Sequence, residues 1–151
     1  MDASAGEIIE RLGLRRHPEG GWYRETWRAP GRYSSHDGAR GAGTAIHFLL
    51  EPSQRSHWHR IDATEIWLYQ AGGALTLRTA EGSEVFALRL GPDILGGDRL
   101  QAIVLPGQWQ AAEAGAAWVL VACVVAPAFE FSRFELAPPG WEPNGAPSGS
   151  A

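Results

Sequence analysis

From residue 44 to residue 136, apolar residues recur in short runs, often at every second position. The runs are separated by glycine, proline and acidic residues. This alternation marks half-buried strands, whose successive side chains point to opposite faces. It predicts strands at 44–50, around His57 and His59, and at 65–70, 74–79, 84–90, 100–105, 108–113 and 118–125. Glu81-Gly82-Ser83 reads as a hairpin turn, while Pro106-Gly107 and Gly115 separate the later strands. A further strand is expected at Trp22–Arg28. Its alternation sets Tyr23, Glu25 and Trp27 on one face and Trp22, Arg24, Thr26 and Arg28 on the other. The aromatic-rich stretch 129–136 has no clear period.

One segment has helical spacing instead. Ile8, Ile9 and Leu12 follow a Ser4…Glu7 capping box and stop at Gly13. Many short strands with a single short helix imply an antiparallel all-β sandwich or barrel. The stretch 29–43, polar and rich in glycine, is expected to be a flexible loop. His17-Pro18-Glu19-Gly20-Gly21 breaks any helix, and its paired glycines suggest unusual backbone angles or a close main-chain approach. It reads either as a pocket lid or as a rigid turn at a subunit boundary.

The chain of 151 residues is long enough for one domain with a real core. We place that domain at 1–137, with a disordered, proline- and glycine-rich tail at 138–151. The formal charge of −4 is spread without like-charge blocks, which argues against nucleic acid as a partner. No apolar run approaches membrane-spanning length and no signal-peptide pattern opens the chain, so a cytoplasmic location without membrane attachment is expected. The one cysteine, Cys123, excludes an internal disulfide and reads as a buried core thiol. Phe129, Phe131 and Phe134 read as packing residues.

Chemistry concentrates between Ser56 and Gly73. His57 and His59 stand two apart on a strand, and Glu65 opens the next. Two imidazoles and a carboxylate returning to one pocket suit a divalent metal or a general acid/base cluster. Trp67 and Tyr69 share the face of Glu65, Trp67 as a cavity wall and Tyr69 as a hydroxyl donor or packing residue. Arg24 and Glu25 point to opposite faces, so one of the two can enter a cavity, and Arg24 could hold an anion bidentately.

The order His57-x-His59, Glu65, Gly72, followed by Leu105-Pro106-Gly107-Gln108-Trp109-Gln110, resembles the two motifs of the cupin superfamily. Five residues, not four, separate His59 from Glu65, and Gln110 takes the place of the third cupin histidine. More narrowly the chain is similar to the cupin-5 family, long a domain of unknown function. The matching pieces are 14–25, 59–72, 109–112 and 121–136. The resemblance implies a jelly-roll-like cupin β-barrel, commonly a homodimer, with affinity for small molecules. It also implies His57, His59, Glu65 and Gln110 as a candidate set for a divalent metal, although glutamine is the weaker ligand.

Taken together, the sequence points to an enzyme acting on a carbohydrate-like or other polar metabolite, epimerase- or isomerase-like by analogy. His59, Glu65 and Tyr69 would be catalytic, and Arg24, Glu25, Trp67 and Gln110 would bind the ligand. The alternative is a non-catalytic cupin that binds a small ligand. A metal-dependent dioxygenase is a weaker alternative, because the third histidine is missing.

Overall fold

The computed structural model describes residues 3–31 and 40–143. Its one α-helix, α1 (Ala5–Leu12), starts at Ser4, whose hydroxyl accepts from the Glu7 backbone while the Glu7 carboxylate accepts from Ser4. The helix ends at Gly13 in the left-handed region. Two side chains from the sheet tie it down. The Arg24 guanidinium donates to the Leu12 carbonyl and the Trp118 indole to that of Ala3.

Eleven strands follow among the described residues: β1 (Arg15–Arg16), β2 (Trp22–Arg28), β3 (Thr44–Leu50), β4 (Arg55–Ile61), β5 (Thr64–Gly72), β6 (Leu75–Glu81), β7 (Glu84–Leu90), β8 (Gln101–Val104), β9 (Trp109–Ala114), β10 (Val119–Ala126) and β11 (Phe134–Leu136). They form two antiparallel sheets, ordered β1-β2-β3-β10-β5-β8 and β11-β4-β9-β6-β7. The expected strands are all present, with ends shifted by a residue or two. The stretch 129–136 divides into a 3-10 turn at Phe131–Arg133 and the edge strand β11.

Alternation explains the core between the sheets. On β10, Val119, Val121, Cys123 and Val125 are buried while the intervening residues are only partly so. They meet Phe48 and Leu50 of β3, Trp67 of β5 and Val104 of β8. From the other sheet come Leu75 and Leu77 of β6, Leu90 of β7 and Ala112 and Ala114 of β9. Burying such side chains stabilises the fold by about 1.5–3 kcal/mol each, offset mainly by lost chain entropy. The core fills one end of the space between the sheets, and the other end is left for a cavity.

Two local irregularities decide what faces that cavity. In β4 the register against β9 shifts between Ser56, opposite Ala112, and His59, opposite Gln110. One extra residue on β4 is a β-bulge, which re-aims side chains. His57 and His59, expected to project together, therefore part company. The second irregularity is at Gly20 and Gly21, with φ of 105° and 86°. A Cβ at Gly20 would collide with the Arg55 carbonyl, so only glycine lets this segment lie against β4. The backbone N–H of His57 then donates to the Glu19 carbonyl at 2.7 Å.

Part of the segment expected to be a disordered tail is packed. Residues 138–143 cross the outer face of β4 and β9, where the Trp141 ring lies 4.5 Å from Trp109 and 6.2 Å from Trp58. Glu142 accepts from the Trp58 indole at 3.0 Å. The remainder of that segment, 144–151, and residues 32–39 of the expected loop lie outside the described residues.

Candidate functional site

The cavity has a volume of about 210 Å³. Its walls are mainly apolar: Ile46, Phe48, Ile61, Val125, Phe129, Phe131 and Phe134. Set among them are His17, Glu19, His59, Glu65 and Cys123, with Arg15, Tyr23, Glu25, Arg28 and Thr44 completing the lining. An enclosed apolar pocket with a few convergent polar groups is the usual form of a small-molecule site.

The centre of the site is Glu19 with His59. Glu19 Oε2 lies 3.0 Å from His59 Nε2, and both side chains are nearly inaccessible. His59 Nδ1 is 2.8 Å from the His57 carbonyl, which can only accept, so Nδ1 carries the proton. In the neutral ring Nε2 is then a bare acceptor, and the short contact to Glu19 requires a proton between them. Burial lowers the His59 imidazolium from 6.5 to about 4, against the opposing effect of the His57 carbonyl. Burial, reinforced by the neighbouring Glu65 charge, raises the Glu19 carboxyl well above its ordinary 4.5. Both directions favour the neutral pair, with Glu19 as a carboxylic acid donating to Nε2, over an ion pair in the apolar interior.

His17 is held in the opposite tautomer. The Glu19 backbone N–H donates to its Nδ1 at 3.2 Å, leaving the proton on Nε2. Burial and the neighbouring His59 lower its pKa to about 3. Its ring packs edge-on against Tyr23, 4.6 Å away, and against Phe48 and Phe134.

Glu65 is the second buried acid. Burial raises it to about 7, while hydrogen bonds from Gln110 and the Cys123 thiol work in the other direction. The Gln110 amide donates to Glu65 Oε1 at 2.7 Å, and its oxygen accepts from the Trp67 indole at 2.8 Å. Trp67 thus orients Gln110, and Gln110 orients Glu65. Burial, with the Glu65 and Glu19 charges, also raises the Cys123 thiol well above its ordinary value, which keeps it protonated.

Of the residues singled out in the sequence, His59, Glu65 and Glu25 line the cavity, with Glu25 held by Arg28 through contacts of 2.7 and 3.1 Å. His57 does not reach it; its Nε2 meets the Pro138 carbonyl at 2.9 Å on the outer face. Trp67 and Gln110 are fully buried behind Glu65. Tyr69 packs on the core and donates to the Gly72 carbonyl at 2.5 Å. Arg24 caps the helix from outside the cavity.

The expected metal set of His57, His59, Glu65 and Gln110 is therefore not brought together. His57 points away, both ends of the Gln110 amide are engaged, and His59 Nε2 is taken by Glu19. Among the described residues no group of three or more His, Cys, Asp and Glu is disposed to hold a metal ion. As arranged, these residues do not fit the ion.

Sequence reasoning passed over Glu19, His17, Arg15 and Arg28 as site residues. The available signal was His17-Pro18-Glu19-Gly20-Gly21, where a glycine pair beside two titratable residues marks a close backbone approach.

Two facing antiparallel sheets with an interior polar site define the chain as a cupin-type protein. It belongs to the cupin-5 family, described as cupin superfamily (DUF985), whose model matches residues 6–137. A crystal structure of a protein from Shewanella oneidensis is 34% identical with a TM-score of 0.81, covering 90% of this chain and 85% of that one. A hypothetical protein from Leishmania major is 30% identical with a TM-score of 0.80, covering 89% and 88%. Oxalate decarboxylase from Bacillus subtilis shares the fold at 13% identity and a TM-score of 0.60. That match covers 80% of this chain but only 29% of the decarboxylase. No curated protein matches the chain in sequence.

Proposed function

We propose that the cavity is a proton-transfer site and that the protein is an isomerase- or epimerase-like enzyme acting on a small polar metabolite. The observation that carries this reading is the convergence of two buried carboxyl groups and a tautomer-locked imidazole on one aromatic-walled cavity. Glu65, titrating near 7, exchanges a proton with substrate at ambient pH as readily as a side chain can. In its carboxylate form it takes a proton from substrate. The Glu19–His59 pair keeps a second proton in the cavity and supplies it to the developing charge. Gln110 and Trp67 hold Glu65 in position, and the phenylalanine walls exclude water. A metal enters no step.

The test begins with a thermal-shift screen of polar metabolites to find a ligand. That ligand is then incubated with protein in deuterated water. The expected result is deuterium incorporation by the wild type and its loss in Glu65→Gln. Incorporation that survives Glu65→Gln sinks the proposal. Binding without incorporation favours the second reading, a non-catalytic ligand-binding cupin, which the enclosed apolar walls also suit.

The same proposal extends to assembly as a homodimer. The outer face of the larger sheet carries a continuous apolar row: Trp27, Ala45, Val124, Ile66 and Ile103, paired strand to strand. Trp27 and Ile103 are 51% and 60% exposed. A second copy of the same face is a self-complementary cover for such a row.

A further inference from the structure

Arg15 and His17 sit two apart on one extended segment, and both line the cavity. They share a support. The Arg15 guanidinium lies over the Tyr23 ring at 5.8 Å, and the His17 imidazole packs edge-on to the same ring at 4.6 Å. The Arg15 guanidinium carbon and the centre of the His17 ring are therefore separated by no more than those two distances together. The two donors are also complementary in kind. His17 must carry its proton on Nε2, because Nδ1 accepts from the Glu19 backbone, and Nε2 has no hydrogen-bond partner among the described residues. Arg15 brings a permanent charge and has no carboxylate partner among the described residues, whereas Arg28 is neutralised by Glu25. One N–H and one guanidinium at the cavity wall present donors without acceptors.

We infer that Arg15 and His17 form an anion subsite, so that the ligand is a compact acid whose carboxylate or phosphate group lies on Tyr23 and whose body lies against the phenylalanine walls. Its remaining polar atoms then meet Glu19, His59 and Glu65. A charged oxygen group satisfies the planar guanidinium bidentately and accepts from His17 Nε2, which a neutral hydroxyl cannot do as well. The cavity volume of about 210 Å³ has room for a ring-sized body. The inference deepens the proton-transfer reading by naming the substrate class, and it rests on the same cavity being the ligand site.

The test uses the full chain and three probes: benzoate, benzyl alcohol and inorganic phosphate, with calorimetric titration of wild type and Arg15→Gln. Arg15 is exposed, so the variant should fold, and its melting temperature checks that. Benzoate is expected to bind at least roughly tenfold more tightly than benzyl alcohol, and Arg15→Gln to remove most of that difference. In ¹⁵N-histidine spectra, benzoate is expected to shift the His17 Nε2 resonance and leave that of His57 in place. Arg15-dependent binding of phosphate in preference to benzoate supports the subsite and assigns it to a phosphate ester. Equal binding of benzoate and the alcohol, or benzoate binding unaffected by Arg15→Gln, overturns the inference. So does the absence of any anion binding in the millimolar range. Glu65→Gln separates this from the catalytic reading. Lost exchange with intact benzoate binding speaks to catalysis alone, whereas Arg15-independent binding speaks to the subsite alone.

Discussion

His57 places its carbonyl 2.8 Å from His59 Nδ1 and so determines which nitrogen of His59 faces Glu19. The residue expected beside His59 in the pocket instead acts on it through the backbone. Its amide holds the Glu19 carbonyl, and its side chain meets the Pro138 carbonyl on the far face of the sheet. Removing the Glu19 side chain leaves a buried imidazole acceptor unpaired, which costs about 1–3 kcal/mol. Glu19→Ala should therefore lower the urea midpoint. Glu19→Gln, whose amide can still donate to Nε2, should retain most of the stability while losing the transferable proton. Equal stability of the two variants in urea denaturation speaks against the pairing.

The buried groups give stability a plateau in pH. Glu19 and Glu65 are raised from 4.5, Glu65 to about 7. Their contribution is full below 4.5 and is lost as pH rises through the folded values. His17 and His59 are lowered from 6.5 to about 3 and about 4. Their contribution is full above 6.5 and is lost as pH falls toward those values. Between 4.5 and 6.5 the two trends oppose one another. Chemical denaturation across pH should show a broad maximum there, with a fall on either side. Glu65→Gln should flatten the alkaline fall, and a maximum above pH 8 contradicts the assignment.

Elemental analysis of untagged protein should find metal well below one equivalent, because the expected ligands are turned away or already engaged. A chelator should leave the melting temperature unchanged. Stoichiometric metal that disappears in His59→Ala requires a rearranged site.

The packed 138–143 segment offers a separate check. Trp141→Ala removes a ring tilted against Trp109 and edge-on to Trp58, and should cost about 1–3 kcal/mol, below a fully buried tryptophan because Trp141 is half-buried. A blue-to-red shift in tryptophan emission should accompany it. No change in either quantity indicates that the segment is detached in solution.

Ile103→Glu, at the edge of the apolar row on the outer sheet face, should convert a dimer to a monomer with little loss of fold. Sedimentation equilibrium reads this directly, and a wild-type monomer sinks the dimer.

Much of the architecture was legible before the fold. The β-strand period of 118–125, the Ser4–Glu7 capping box and the glycine punctuation each act over a few residues, so local sequence suffices to read them. The motif order also singled out His59 and Glu65, and both line the cavity. His57 and Tyr69 show where that reading stops. Simple alternation sets His57 with His59, but a bulge in β4 is a property of its pairing with β9, and it turns His57 outward. Tyr69 does lie on the face of Glu65, but it packs on the core, and its hydroxyl donates to the Gly72 carbonyl across a bulge at Gln70 of β5 instead of lining the cavity. Glu19 is the converse case. It became a site residue only because Gly20 and Gly21 let its segment lie on β4, and its raised pKa exists only once burial and Glu65 surround it. Sequence by itself determined the elements, the family and two of the buried titratable residues that line the cavity, His59 and Glu65. Tertiary structure decided which side chains share the cavity and which protonation states they hold, because both depend on groups far apart in the chain that meet only when the sheets close over them.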